Sequence, residues 1–370
     1  LVWVVGNGEH QEGRRDPFDA HDPDEEKIMP SEDANSPSVR RRRWSLWSVG
    51  AVLLLGVGIV FLWRSGGRSA DRTTGPVLIV GDQRGGVQAL LRAAGELDHV
   101  SNKINFALFP AASPLLEALG ANAVDIGGIG GAPFAFAFAS GQPIKAVFAY
   151  RVDPEKAGRA SAIVVGKDSS LHGLADLKGK KLATVRGSAG QDLALRLLEK
   201  AGLKASDVQW VYLDNGQAKA ALGSGAIDAW STWGSYVGIA KIEDGDRILA
   251  DGTIFPGNVG FYAASNAAIA GKRPLIADFL ERLTRARRWA RTHPRDYAAV
   301  LSKETGIPFE VALFSIYSNL GVPVPVDDAV IAEQRAIFER YRNAGIIAAV
   351  PDVTSGYDRS FSDALKVSGN

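Results

Sequence analysis

The sequence predicts an α/β protein of two similar lobes, each assembled from parallel β-α-β units. Short β-branched runs alternate with stretches of helical spacing from Val77 onward, and the alternation restarts near Lys181. A repeat accompanies it: "ALGANAVDIGGIGG" at 118–131 returns as "ALGSGAIDAWSTWG" at 221–234. "LLRAAG" at 90–95 likewise matches "LLEKAG" at 197–202, so the repeated unit is a whole lobe. Composition permits this, because 370 residues with 46% hydrophobic and 22% charged side chains can fill more than one core.

Three segments precede the fold. Residues 1–39 read as a polar, disordered extension, and the sole methionine, Met29, reads as the start of translation. Residues 40–64 join the basic block Arg40 to Arg43 to an uncharged apolar run, 46–63. That order directs the following chain outward, and Trp44, Trp47 and Trp63 sit where indole rings favour a membrane interface. An uncleaved anchor is favoured over a cleaved signal, since "RSA" at 68–70 puts Arg68 where a signal peptidase prefers a small side chain. Residues 65–76 then form a flexible linker.

The first lobe begins with the strand "VLIVGD", the helix "GVQALLRAAGEL" and the strand "KINFALFP". "SPLLEALG" follows as a short helix capped by Ser113 with Pro114 in its first turn, then the strand "AVDIGG", the helix "APFAFAFASG" and the strand "IKAVFAY". The second lobe repeats the order: strand and loop "KLATVRGSAG", helix "QDLALRLLEKAG", strand "VQWVYLD", helix "NGQAKAALG", strand "AIDAW". Amphipathic helices complete the chain. Their "RLTRARRWAR" stretch reads as a solvated face rather than a nucleic-acid patch, because the net charge is only +1. Two parallel lobes facing each other would line a cleft with their post-strand loops.

Five stretches carry a family resemblance: "GDQRGG", "FPAASPLLEALGANAVDIGGIGGAPF", "LADLKGKKLATVRGSAGQDLALRLLEKAGLKASDV", "GAIDAWSTWGSY" and "LADGTIFPGNVGFYAAS". In that order and spacing, over roughly residues 77–345, the chain resembles the periplasmic solute-binding proteins of aliphatic sulfonate, taurine and nitrate import systems, above all the sulfonate binders. The resemblance implies a bilobal type II periplasmic-binding-protein fold with a two-stranded hinge. Lobe 1 would be 77–165 and 257–370, lobe 2 would be 166–256, and the chain would cross near "SAIVVG" and "GNVGFYAA". It also implies a monomeric, extracytoplasmic component of an ABC importer, located in the periplasm. Such a protein closes over a small anionic organic ligand and delivers it to a permease with its ATPase. An organosulfonate is the leading ligand, with nitrate or taurine-type ligands as the alternative.

A sulfonate presents three acceptor oxygens and no proton, so its site needs donors. Helix N-termini supply them. "GDQRGG" offers Gln83, Arg84 and the amides of Gly85 and Gly86; "GGIGGAPF" offers Gly130, Gly131 and Ala132 ahead of Pro133; "RGSAGQD" offers Arg186, Ser188, Ala189 and Gly190, with Ser188 as N-cap. In the second copy of the repeat Trp230 and Trp233 replace small residues, which suits the organic tail of a sulfonate. Asn258, with Phe261 and Tyr262, would complete the wall. The repeated Asp125 and Asp228 are expected to hold loops, since a carboxylate repels an anion.

No cysteine occurs, which excludes disulfides, thiolate metal sites and the cysteine nucleophile that the sulfinate-cleaving relatives use. His10, His21, His99, His172 and His293 show no metal or acid-base spacing. No catalytic residue, metal or cofactor is therefore expected. A membrane-tethered ligand sensor remains as an alternative to import, and an enzyme on the same fold has the least support.

Overall fold

The structure is a computed structural model that describes residues 76–98, 102–152, 158–255 and 259–367. The extension at 1–39, the anchor at 46–63, most of the linker, and Asn258 lie outside the described residues. Among those described, no helix is long and apolar enough to cross a membrane.

Two sheets form the two lobes. The first holds β1 (Val77–Gln83), β2 (Lys103–Phe109), β3 (Ile126–Gly130), β4 (Ile144–Val152), β10 (Val259–Ser265) and β11 (Gly321–Val324) in the order β11-β4-β10-β3-β1-β2. The second holds β5 (Ser161–Val165), β6 (Lys181–Thr184), β7 (Gln209–Tyr212), β8 (Ala229–Trp233) and β9 (Arg247–Asp251) in the order β7-β6-β8-β5-β9. The segment "SAIVV", expected in the first lobe, is thus a strand of the second sheet. The first crossing falls between Val152 and Ser161 and the return between Asp251 and Val259.

The sheets are mixed rather than parallel throughout. β1 runs parallel to β2 and β3, and β6 runs parallel to β7 and β8, as the alternation predicts. β5 and β10, which arrive from the opposite lobe, enter their sheets from the other end and pair antiparallel on both sides. β11 escapes a reading of the sequence because Pro323 lies within it; the strand is an edge, where a residue without an N–H is tolerated.

The repeated aspartates show what the repeat does. In the first lobe the Asp125 Oδ2 accepts from the amide of Ile79 at 2.7 Å, while its own amide donates to the Ile79 carbonyl at 2.9 Å. In the second, Asp228 Oδ2 accepts from the amide of Lys181 at 2.8 Å and its amide donates to the Lys181 carbonyl at 3.0 Å. Each aspartate therefore ties the strand it precedes to the parallel neighbour. Asp125 adds an ion pair with Lys272 Nζ at 2.7 Å. Neither lines the cavity between the lobes.

The first lobe carries α1 (Gly86–Ala93), α2 (Ala112–Gly120) and α3 (Gly131–Ala139); the second carries α4 (Ala189–Lys200), α5 (Asn215–Gly223) and the short α6 (Ser235–Gly238). Ser113 and Pro114 lie inside the first turn of α2, whose N-cap is Ala111 without a side-chain bond. The chain ends with α7 (Asn266–Gly271), α8 (Arg273–Ala290), α9 (Pro294–Thr305), α10 (Phe309–Asn319) and α11 (Asp328–Asn343). Separate apolar clusters fill the first lobe: Leu115, Leu119, Phe134 and Phe338 belong to one, and Leu78, Val80, Phe279 and Leu283 to another. Each such side chain contributes roughly 1.5–3 kcal/mol by leaving water.

The C-terminal helices also brace the second lobe. α10 approaches α6 at Gly238, where a side chain would meet Phe314 and Val311 at 3.2 and 3.3 Å. From α11, Arg340 Nη1 reaches Asp192 Oδ1 at 2.6 Å and the Tyr341 hydroxyl donates to the Ser188 carbonyl at 2.9 Å. The basic stretch of α8 is not simply a solvated face. Arg285 makes a two-pronged bond to buried Glu96 at 2.8 and 2.9 Å, and Arg282 pairs with Asp278 at 3.1 Å.

Candidate functional site

The main cavity, of about 320 Å³, lies between the lobes and extends into the first. That is near the lower end of ordinary ligand pockets. Its walls come from the loops after β1, β3, β6 and β8, from β4 and β10, and from the inner faces of α8, α9 and α10.

The loop after β1 contributes Gln83 and Arg84. Gln83 Nε2 donates to the Gly128 carbonyl at 2.7 Å, which ties this loop to β3. Arg84 takes a left-handed backbone conformation, φ 57°, with its amide bonded to the Phe109 carbonyl at 3.0 Å. Its guanidinium lies 4.3 Å over the ring of Tyr236, in the opposite lobe. The start of α1 differs from the expectation. Asp82 already fills it, accepting from the amides of Val87 at 3.0 Å and Gln88 at 2.9 Å. Asp82 is 2% exposed, and burial pushes its carboxyl from 3.8 up to about 6 despite those bonds.

From the end of β3 and the first turn of α3, Gly128, Ile129, Gly130 and Pro133 face the cavity. Gly131 and Ala132 do not. Gly131 is pressed against Gln334 of α11, whose Oε1 would lie 2.2 Å from any added side chain, and Ala132 packs into the core.

The loop after β6 brings Val185, Ser188 and Ala189. Ser188 caps α4, its hydroxyl oxygen accepting from the Gln191 amide at 3.2 Å, as expected. Ala189 opens the helix, so its amide has no carbonyl a turn earlier to bond. Gly190 is turned away: the Ser231 carbonyl oxygen would sit 2.5 Å from a side chain there, and the Ser231 hydroxyl donates to the Gly190 carbonyl at 2.7 Å. Arg186 is exposed outside the cavity, 5.7 Å from the ring of Tyr212.

The two tryptophans separate. Trp233 lines the cavity, followed by Gly234, Ser235 and Tyr236. Trp230 is wholly buried on the opposite face of β8, 5.9 Å from the Tyr236 ring, and its indole N–H has no partner among the described residues. Phe261 is core, against Phe134 and Tyr357, whereas Tyr262 lines the cavity.

Tyr150, Asn215, Tyr236, Arg287 and Tyr297 also line it and were not singled out from the sequence. Arg287 was detectable. Leu280, Leu283, Arg287 and Ala290 fall on one face of α8 at helical spacing, and an arginine on an apolar face needs a reason. The lining thus carries two guanidiniums, Arg84 and Arg287, against one carboxylate, Asp82, whose oxygens are engaged by amides. Such a surface favours an anion with an apolar portion.

The sequence profile described as NMT1/THI5 like matches residues 108–297. A protein of Escherichia coli (strain K12) named "Putative aliphatic sulfonates-binding protein" is 34% identical over 245 residues, 65% of this chain and 76% of that one. Among solved structures, the alkanesulfonate-binding protein SsuA from Xanthomonas axonopodis pv. citri, bound to MOPS, superposes with a TM-score of 0.68 at 27% identity, covering 77% of this chain and 99% of that chain. The desulfurization enzyme DSZB shares the fold at a TM-score of 0.58 and 16% identity, covering 78% of this chain and 99% of that chain.

Proposed function

The chain belongs to the NMT1/THI5-like family, and from that premise we propose that it is the extracytoplasmic binding component of a sulfonate importer. The ligand is an organosulfonate held between the lobes. Its head lies at the opening turn of α4, where the Ala189 amide and the Ser188 hydroxyl are donors, with Gly130, Gln83 and Arg84 across the cleft. Its organic part lies against Trp233. The observation that carries this reading is the charge of the cavity wall: two guanidiniums and a helix start, with a single carboxylate satisfied internally. Because contacts come from both lobes, binding favours the shut arrangement, and the shut form is what a permease would receive.

Binding rather than catalysis is supported by the names of the relatives at 34% and 27% identity. The enzyme that shares the fold does so at 16% identity, and a cysteine nucleophile has no counterpart here. Location outside the cytoplasm rests on the basic block and apolar run at 40–64, and a retained run at 46–63 would tether the protein to the inner membrane. Separating membrane from soluble fractions tests the tether.

Titration calorimetry of the full chain tests the ligand, using alkanesulfonates, arenesulfonates, taurine and nitrate. A sulfonate is expected to bind more tightly than about 100 μM. The reading fails if none does and another class binds. Trp233→Ala is expected to weaken long-tailed sulfonates by about tenfold, and methanesulfonate much less. Equal losses would mean that Trp233 only packs.

A further inference from the structure

Among the described residues Arg287 is a guanidinium without a counter-ion. It projects from α8 among buried neighbours, and its Nε is sealed from solvent with no hydrogen-bond partner among them. No carboxylate pairs with it among the described residues, although Arg282 and Arg285 on the same helix each have one. Aromatic rings surround it instead: its Cζ lies 3.3 Å over the Tyr150 ring and 5.9 Å from that of Tyr262. The nearby Tyr297 hydroxyl is already committed, donating to the Gly86 carbonyl at 2.8 Å. The side chain is nevertheless part of the cavity wall and partly exposed there. Its polar company is the phenol of Tyr262, and a largely buried cation that meets phenols but no carboxylate, with one edge open to a cavity, gains most when an anion arrives.

The opening turn of α4 belongs to the second lobe, whereas Arg287 belongs to the extension of the cavity into the first, beside Tyr150, Tyr262 and Tyr297. A short alkanesulfonate has one anionic group and can serve only one of the two. We propose that Arg287 binds a second anionic group of the ligand, a carboxylate, so that the substrate class is a sulfonate bearing a carboxylic acid at its other end. The planar fork of a guanidinium matches a carboxylate through two parallel N–H···O bonds, and the tyrosine rings exclude water around that pair. This inference rests on the sulfonate reading above.

Calorimetry on the full chain with matched pairs tests it: sulfoacetate against methanesulfonate, and para-sulfobenzoate against benzenesulfonate. The two pairs differ in span, so one of them should reach both ends. In at least one pair the acid is expected to bind about tenfold or more tightly, the worth of a charge-assisted hydrogen bond. Arg287→Gln should remove most of that preference, and Arg287→Lys, which keeps the charge but not the fork, should retain part of it. If Arg287 is only a brace between tyrosine rings, the variants will lower the melting temperature and weaken both members of a pair equally, which overturns the inference. A wild-type chain that binds sulfonates without preferring the acids overturns it too, and needs no variant to fold. If no sulfonate of either kind binds, the sulfonate reading itself fails, and this inference with it.

Discussion

Asp82 should make the stability of this protein fall as pH rises through the weakly acidic range. The group is 2% exposed and its carboxyl is raised from 3.8 to about 6, chiefly by burial, with the charge of Glu304 adding to the rise. The folded chain therefore holds this proton more tightly than the unfolded chain. Its contribution is fully present below about pH 4 and is lost as pH climbs through about 6. A rise of that size is worth about 3 kcal/mol, with little screening by solvent at such a buried position. Asp246 is raised in the same sense by burial, while Asp358, held low by its bonds from Ser360 and Arg273, contributes in the opposite sense at more acid pH. The quantity to measure is therefore a difference. Urea unfolding of wild type and Asp82→Asn, from about pH 4 to about pH 7, should show the variant gaining on the wild type by about 3 kcal/mol, near 5 °C in melting temperature. Since Asp82 lines the cavity, sulfonate affinity should also weaken over that window in the wild type and stay flatter in the variant. A stability difference that does not change with pH would refute the assignment of a raised carboxyl.

Two further outcomes follow from the contacts around α4. Gly190→Ala would put a methyl 2.5 Å from the Ser231 carbonyl, so it should cost about 1–3 kcal/mol and shift the turn that carries Ser188 and Ala189; ligand affinity should fall with it. Gly173→Ala, where nothing lies within 4 Å, should be neutral by thermal melting. For Arg340 and Asp192, 2.6 Å apart and largely shielded, a double-mutant cycle with Arg340→Met and Asp192→Asn should return a coupling of about 1 kcal/mol or more; a value below about 0.3 kcal/mol would mean the pair does not hold α11 to α4.

Sequence reading found what local chemistry dictates. The β-α-β alternation was legible because period-two and period-3.6 apolar patterns are set by neighbours a few residues apart. The Ser188 cap was legible for the same reason, and the repeat located the two aspartates that tie β3 to β1 and β8 to β6. What failed depends on the far side of a contact. Gly131 and Gly190 look like open anion loops, and only the positions of Gln334 and Ser231 show that their faces are filled. Asp82 looks like the end of a strand, and only its bonds to Val87 and Gln88 show that it takes the helix start expected for the ligand. For the tryptophans the signal was present. Trp230 and Trp233 are three residues apart on one strand, an odd spacing that sends them to opposite faces. The signal for Arg287 was present too, in its place beside Leu283 and Ala290 on the apolar face of α8, but charge balance over the whole chain does not report it.

The separation of the tryptophans has an optical consequence. Among the described residues there are four: Trp210 is fixed by its indole N–H on the Ala205 carbonyl, Trp230 is sealed in the core, Trp289 stacks on His293 at 4.7 Å, and Trp233 alone lines the cavity. The other chromophores set the level of emission, and of these four only Trp233 would touch a ligand in the cavity. The protein carries its own reporter at the place where the organic part of a sulfonate would rest, so occupancy and lobe closure can be followed by intrinsic fluorescence, without a dye.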